Sequence, residues 1–304
     1  MAAVEITVGV MPKSTRNPYF EDCAEGAREA AGALGFRLLW DGPPEADADA
    51  QADMVGRWAQ EGLTAIAVSV ESPARISSAL QQARARGVKV LTWDADAEAG
   101  ARDFTVVPAT PAAVGHALSF EAARITGGAG EIAGITSTST AQNQKAWIAE
   151  FEARIAKEHP GLELVAVRPC DDLVEKARRE TEALLAAHPR LRAIVGFCSP
   201  AVPGAAEALA RARREVRLTG VSLPALCRPY LEGGTVDSVV FWKARDLGYL
   251  SAAAAHALAS GSLEAGTASF RAGRLGNVLV IGDEIRLGRC HIVTRGNLEA
   301  FDRG

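Results

Sequence analysis

The sequence predicts an α/β protein with two similar sheet domains in tandem. Apolar strand patterns alternate with amphipathic helix patterns along most of the chain, which is typical of βαβ units and a parallel sheet. The length of 304 residues suits about two domains of ordinary size. A hydrophobic fraction of 48% and a charged fraction of 23% indicate a globular protein with full cores.

The first set of elements extends to Pro108, and glycines at 35, 62 and 87 fall just past its helices, as C-terminal caps do. The predicted strands are Ile6–Val10, Arg37–Trp40, Ala65–Val70, Val88–Trp93 and Phe104–Val107. The predicted helices are about Phe20–Leu34, Ala48–Gln60 and Pro73–Arg86.

A second set of elements begins after Pro108 and Pro111, with a helix to about Ile125 and a glycine turn at 127–130. The strands predicted after it are Ile132–Ile135, Leu164–Val167, Ala193–Val195 and Leu218–Val221. The helices between them are Asn143–Lys157, Leu173–His188 and Pro203–Arg213.

The remainder of the chain contains too few helices and strands for a third domain. It contains a strand at Val236–Phe241, a helix at about Ala244–Ala259 and strand-like pieces near Val278–Ile281 and Ile285–Leu287. We therefore expect these elements to be shared between the first two domains.

Charge and composition exclude several classes of protein. A net charge of −4 and no Lys/Arg cluster argue against a nucleic-acid partner. No segment approaches the roughly 20 apolar residues of a membrane span. The amino terminus, Met1-Ala-Ala-Val-Glu-Ile, does not resemble a signal peptide, which alone indicates a cytoplasmic protein, although a mature secreted chain would look the same.

Motifs for catalysis, metals and cofactors are not found in the sequence. The five cysteines are scattered without metal-ligand spacing, and we expect them to be small buried hydrophobes. The glycines at 127–130 precede a strand, so they do not form a dinucleotide-binding turn. Asp94 and Asp96 are the one candidate acid and base pair; along an extended strand they would point to the same side. We predict no enzymatic activity, no metal and no cofactor.

The candidate binding residues lie where predicted strands end, which is where ligands bind in open α/β sheets. The loop after the first strand holds Lys13, Asn17, Tyr19 and Phe20, and rings beside polar groups suit a polyhydroxylated ligand. Later strand ends add Asp94, Asp96, Asn143, Gln144, Ser199, Trp242 and Lys243. An alternative for Asp94 and Asp96 is that they cap the next helix.

These segments together resemble the sugar-binding proteins of ABC transporters, and in particular the branch of rhamnose-binding and autoinducer-binding proteins. The resemblance covers the chain from about Ile6 to its carboxyl terminus. It is carried by Met11-Pro-Lys-Ser-Thr-Arg-Asn-Pro-Tyr-Phe20, Asp41-Gly-Pro43, Ala65-Ile-Ala-Val-Ser69, Gly87-Val-Lys-Val-Leu-Thr-Trp-Asp94, Asn143-Gln144 with Trp147, Arg228-Pro-Tyr230 and Trp242.

The resemblance implies a type I periplasmic-binding fold: two doubly wound parallel-sheet lobes, joined by three crossovers, with a ligand cleft between them. The expected amino-terminal lobe is 1–108 plus about 243–272, and the expected carboxyl-terminal lobe is 109–242 plus about 273–304. The family pattern matches Lys13, Asn17, Tyr19, Phe20 and Asp94 to ligand-binding positions. Asn143 and Gln144 also stand where relatives carry paired polar residues. We further expect Asp96, Ser199, Leu223, Trp242 and Lys243 to bind the ligand.

The function that the resemblance implies is a monomeric, periplasmic solute receptor that delivers a small sugar, polyol or sugar-like signal to an ABC permease and closes on its ligand. A signal peptide is then presumed absent from this sequence. The alternative is a cytoplasmic or sensor-linked regulator on the same fold, which would carry an amino-terminal helix-turn-helix; none is found in the sequence.

Two positions depart from the relatives and concern the ligand. Phe197-Cys-Ser199 differs from the proline-containing autoinducer pattern, and Lys243 stands where relatives carry an acidic residue or an amide. A lysine in a dry cleft needs an anion, which would be Asp94, Asp96 or an acidic ligand. We favour a neutral ligand, because Asp94 would repel an acid.

Overall fold

The computed structural model describes residues 5–212, 214–288 and 290–301. The first four residues of the amino terminus, on which the signal-peptide argument depends, lie outside these ranges. The same holds for Arg213, the predicted end of a helix, and for residues 302–304 of the expected second lobe.

The chain alternates strands and helices as the sequence predicts. Its strands up to Phe241 are β1 (Thr7–Met11), β2 (Arg37–Trp40), β3 (Ala65–Val68), β4 (Lys89–Trp93), β5 (Phe104–Val107), β6 (Ala129–Thr136), β7 (Gly161–Pro169), β8 (Leu191–Gly196), β9 (Arg217–Val221) and β10 (Ser238–Phe241). Short strands follow as β11 (Ser269–Arg271), β12 (Asn277–Ile281), β13 (Glu284–Arg286) and β14 (His291–Val293).

The helices between these strands cover most of the remaining chain. They are α1 (Pro18–Leu34), α2 (Ala48–Gln60), α3 (Pro73–Ala85), α4 (Pro111–Thr126), α5 (Gln142–Glu158), α6 (Val174–Ala187), α7 (Ala201–Ala212), α8 (Pro224–Glu232) and α9 (Ala244–Ala259). Gly35, Gly62 and Gly87 follow α1, α2 and α3 with φ of 75°, 80° and 88°, the left-handed conformation expected past a helix end.

The chain forms two compact units and passes between them at three points. The first unit is Met1–Pro108 with Lys243–Gly288, and the second is Ala109–Trp242 with Arg289–Gly304. The first unit contains the sheet β11-β12-β13-β5-β4-β3-β1-β2, and the second contains β14-β10-β9-β8-β6-β7. The central strands of both sheets are parallel and buried, and the predicted fold class is confirmed.

The structure corrects the expected division of the last part of the chain. The sequence assigned residues after about 272 to the second lobe, whereas the first unit continues to Gly288. The reason is strand pairing: β13 adds to β5 in parallel, with Ile285 opposite Val106, and β12 pairs with β13 in antiparallel orientation.

The described residues contain no helix that is both long and apolar enough to cross a membrane. Nor do they bring together three or more His, Cys, Asp or Glu side chains in an arrangement that could hold a metal ion.

Candidate functional site

The loop between β1 and α1 places the first group of predicted residues at the end of a buried strand. Asn17 is the N-cap of α1, and its side-chain oxygen accepts a hydrogen bond from the Tyr19 backbone N–H at 3.0 Å. Pro18 at the first helical position has the backbone angle that a helix start requires. The loop therefore places Tyr19 and Phe20 in the first turn of α1, while Lys13, two residues after β1, is buried with 2% of its surface exposed.

Asp94 lies at the end of β4 and is the best-connected polar residue of this group. Its Oδ1 accepts a hydrogen bond from the Tyr19 hydroxyl at 2.9 Å, and its Oδ2 accepts one from the Ser69 hydroxyl at 3.3 Å. Burial raises the pKa of Asp94, and the Lys13 ammonium and the two hydroxyl donors oppose that rise. The carboxylate thus sits where desolvation disfavours its charge.

The backbone of Asp94 is also unusual, with φ of 62°. A non-glycine residue in this region is uncommon, and Asp and Asn tolerate it best. Because the chain turns at this residue, the prediction that Asp94 and Asp96 project together from an extended strand is wrong.

Four aromatic rings pack against one another near Asp94. Phe20 packs edge-on against Trp93 with ring centroids 5.6 Å apart, and Trp93 is also 5.9 Å from Trp40. Tyr19 contacts Phe20 edge-on at 5.0 Å. Ring edges and faces next to a carboxylate provide both apolar and polar contacts at one strand end.

Asp96 makes a structural ion pair, which argues against its predicted role in ligand binding. Its Oδ1 and Oδ2 accept hydrogen bonds from Nε and Nη2 of Arg102 at 2.9 and 2.6 Å. The buried Arg102 also binds Asp283, in the turn before β13. Asp96 further accepts a hydrogen bond from Thr92, so its carboxylate serves to hold the β4 loop to that turn.

Lys243 occupies the N-cap position of α9 and is exposed. Its backbone carbonyl accepts the Leu247 N–H at 3.0 Å, which starts the helix. Of the carboxylates expected to pair with it, Asp96 is bound by Arg102, and Asp94 has Lys13 as a nearby cation.

In the second unit, Asn143 and Gln144 lie at the start of α5, next to the end of β6. The Gln144 side-chain oxygen accepts hydrogen bonds from the Thr136 hydroxyl and, at 2.7 Å, from the Ser137 backbone N–H. The Asn143 side-chain oxygen accepts the Gln144 backbone N–H at 2.9 Å. Gln144 is therefore fixed to the strand end by its oxygen.

The remaining predicted residues of the second unit are also buried at strand ends. The Ser199 carbonyl, after β8, accepts a hydrogen bond from the Ser222 hydroxyl at 2.8 Å. Leu223 is the N-cap residue of α8, after β9. Trp242, after β10, packs edge-on against Trp147 with ring centroids 5.5 Å apart.

Comparison with known proteins identifies the family. Residues 8–263, well over half of the chain, match a family described as "Periplasmic binding protein domain". The chain belongs to the periplasmic binding protein family. The resemblance inferred from the sequence motifs is thereby confirmed, including its narrower branch.

Three solved structures are similar to this periplasmic binding protein over nearly its whole length. A sugar ABC transporter protein from Actinomyces odontolyticus is 32% identical, with a TM-score of 0.77 and coverage of 98% of this chain and 97% of the other. A solute-binding protein from Clostridium phytofermentas with bound L-rhamnose is 27% identical, with a TM-score of 0.93 and 98% of each chain covered. LsrB from Clostridium saccharobutylicum, in complex with AI-2, is 25% identical, with a TM-score of 0.92 and coverage of 98% and 100%.

Sequence reasoning missed Gln51, a buried polar residue that supports the candidate site of this periplasmic binding protein. Gln51 of α2 is fully buried, and its amide nitrogen donates to the carbonyls of Pro12 and Ser69 at 3.2 and 2.8 Å. Its oxygen accepts the Glu71 N–H at 3.0 Å, so one side chain joins the loops after β1 and β3. A glutamine on the apolar face of α2 was the available signal, since buried polar groups need such partners.

Proposed function

We propose that this chain is the solute-binding receptor of an ABC importer and that it takes a small sugar, polyol or sugar-like signal. The observation that carries the proposal is the group formed by Asp94, Tyr19 and Lys13 beside the rings of Phe20 and Trp93. The relatives support the ligand class, because one is described with L-rhamnose bound and another with AI-2.

The chemistry of the group fits a polyhydroxylated ligand. A carboxylate accepts hydrogen bonds from two or more hydroxyls, and an ammonium donates to others; hydrogen bonds to charged groups contribute about 1.5–3 kcal/mol each. The aromatic rings contact the C–H faces of a sugar. We propose a neutral ligand. Burial already disfavours the charged form of Asp94, and an acidic ligand would add charge repulsion to that cost.

The same ligand is proposed to contact side chains of both units, as the resemblance to the family implies. The first unit would contribute Lys13, Asn17, Tyr19, Phe20 and Asp94. Asn143, Gln144, Ser199, Leu223 and Trp242 would contribute from the second, and Lys243 from the start of α9. A ligand that contacts both sets of residues binds more tightly to the conformation in which both sets are within reach. Binding therefore stabilises that conformation.

The remaining parts of the proposal follow from the family. We propose an extracytoplasmic protein that acts as a monomer, hands its ligand to the membrane subunits of a permease and carries out no chemistry on it. Asp96 is left out of the proposed ligand set because of its pairing with Arg102.

A thermal-shift screen tests the ligand class. The panel is L-rhamnose, AI-2, D-ribose, D-arabinose, the matching alditols and the matching sugar acids. A true ligand at 100 times its dissociation constant adds about 2.7 kcal/mol to the free energy of unfolding. It should therefore raise the melting temperature more than the other compounds do. A preference for a sugar acid over its alditol would contradict the neutral ligand, and no shift with any member of the panel would contradict the proposed class.

A further inference from the structure

Two buried thiols of the second unit contact each other. Cys170 directly follows β7 and Cys198 lies two residues after β8, and their sulfur atoms are 3.5 Å apart. Both side chains are buried. Because β6 lies between β7 and β8 in the sheet, the two sulfurs meet over the end of β6.

The chain around the pair is held on both sides. The Cys170 N–H donates to the Thr136 carbonyl at 2.8 Å, and the Phe197 N–H donates to the Ile135 carbonyl at 2.7 Å. Directly after Cys170, residues Asp171 and Asp172 have φ of 52° and 55°. Two successive non-glycine residues in this region are uncommon, and they mark a sharp turn that begins at the cysteine.

We propose that Cys170 and Cys198 form a reversible intramolecular disulfide when the protein meets a low-molecular-weight disulfide. Bond formation requires the sulfurs to approach by about 1.5 Å, to the normal disulfide length of about 2.05 Å. The loops after β7 and β8 then draw together. The loop after β8 also carries Ser199, directly after Cys198. Formation of the bond would therefore move a residue of the proposed ligand-binding set.

The reaction is thiol–disulfide exchange. The Cys198 thiolate attacks the external disulfide, which forms a mixed disulfide and releases one external thiol. The Cys170 thiolate then attacks the Cys198 sulfur, which forms the internal bond and releases the second thiol. The two cysteine sulfurs are oxidised, the external disulfide is reduced to two thiols, and the two cysteine protons are taken up by the released groups.

Cys227 provides the matched comparison within the same unit. It is also buried, but its sulfur lies 3.2 Å from the Ser222 hydroxyl, and no second thiol is close to it among the described contacts. Burial raises the pKa of Cys227 to about 12, and burial likewise raises the pKa of Cys198. Exchange is therefore slow at neutral pH for both, and the experiment is run in mildly alkaline buffer.

The test is oxidation of the native chain with excess oxidised glutathione, followed by denaturation in iodoacetamide without reductant and peptide mapping by mass spectrometry. The expected result is one peptide pair joined through Cys170 and Cys198, a chain lighter by about 2 Da, and reversal by dithiothreitol. Cys23 and Cys227 should be alkylated in the same sample. Alkylation of Cys170 and Cys198 to the extent of Cys227, or glutathione adducts without a bridge, would overturn the proposal.

Two variants make the result specific. Cys198→Ser should abolish the joined peptide, whereas Cys227→Ser should retain it. If the native wild-type chain joins Cys170 to other cysteines as often as to Cys198, the contact in the fold does not select the pair and the proposal fails.

Discussion

Asp94 combines two unfavourable features, a positive φ and a desolvated carboxylate, with two hydrogen bonds that partly offset them. The Tyr19 and Ser69 hydroxyls donate these hydrogen bonds. Strained and desolvated groups cluster at functional sites, where the surrounding structure holds them in place. The fold therefore holds a carboxylate whose charged form burial disfavours, at the position proposed to contact the ligand.

This reasoning predicts the pH dependence of Asp94→Asn stability without ligand. The folded-state pKa of Asp94 is raised above its ordinary value of 3.8, so the associated stability is present below that value and is lost as pH rises through the raised pKa. Asn stays neutral and tolerates the positive φ. The melting temperature of the variant, relative to wild type, should therefore increase as pH is raised from about 3 to 7. A relative decrease would contradict the assigned direction.

Asp94 and Asp96 show how far the sequence predicts single residues. Both follow the same strand, and the motif predicted a role for each. Only the fold shows that Arg102 binds Asp96 and also reaches Asp283, which lies 181 residues further along the chain from Arg102. Asp283 leaves no local pattern at that distance, so the ion-pair network that occupies Asp96 and Arg102 could not be inferred.

Arg102→Ala should destabilise the first unit. The change leaves Asp96 and Asp283 without their shared cation and removes a side chain that is 5% exposed. Breaking a buried pair costs about 3–5 kcal/mol, and because both carboxylates are partly exposed we expect about 2–3 kcal/mol by urea unfolding. Arg75→Ala is the control, since Arg75 and Asp49 form an exposed pair, and its unfolding midpoint should stay unchanged.

At the scale of elements, α1 and α9 pack with unusually close backbones. A Cβ atom added at Gly26 would lie 1.8 Å from the Arg245 carbonyl oxygen, and one added at Gly248 would lie 1.9 Å from the Cys23 carbonyl oxygen. The glycines therefore allow α9 to lie directly against α1, whose first turn carries Tyr19 and Phe20.

Gly248→Ala is expected to destabilise the protein by at least about 1–3 kcal/mol, because the new methyl group has no room beside rigid backbone. Gly32→Ala is the matched control on α1: nothing lies within 4 Å of its added Cβ, and the residue is exposed. That change should stabilise by about 0.4–1 kcal/mol. Chemical denaturation of both variants checks the pair, and equal effects would contradict the close helix contact.

The elements that the sequence did not predict have identifiable causes. Helix α8 contains Pro229 in its interior, which normally argues against a helix. Strands β11 and β14 have three residues each, too short for an alternating pattern. Gly130 was assigned to a turn, but β6 already begins at Ala129, because pairing with β7 continues to that end of the strand.

At the scale of the whole molecule, the sequence predicted that the last elements are shared between two units, but it misplaced residues 273–288. The assignment of β12 and β13 to a unit depends on the sheet edge with which they pair. That edge is β5 of the first unit. Strands pair at a sheet edge through backbone N–H and C=O groups, which nearly every residue carries. The amino-acid sequence therefore does not reveal which edge is used. The central parallel strands, whose apolar runs are local, were predicted to within a few residues.

The central claim is that Asp94 binds the hydroxyls of a sugar-like ligand and that Asp96 does not. Isothermal titration calorimetry of wild type, Asp94→Asn and Asp96→Asn, with the sugar that gives the largest thermal shift, tests it most directly. Asp94→Asn should weaken binding by about 1.5–3 kcal/mol, the range for hydrogen bonds to a charged group. Asp96→Asn should lower stability and leave affinity unchanged. Unchanged affinity in Asp94→Asn, or an equal loss in Asp96→Asn, would contradict the claim.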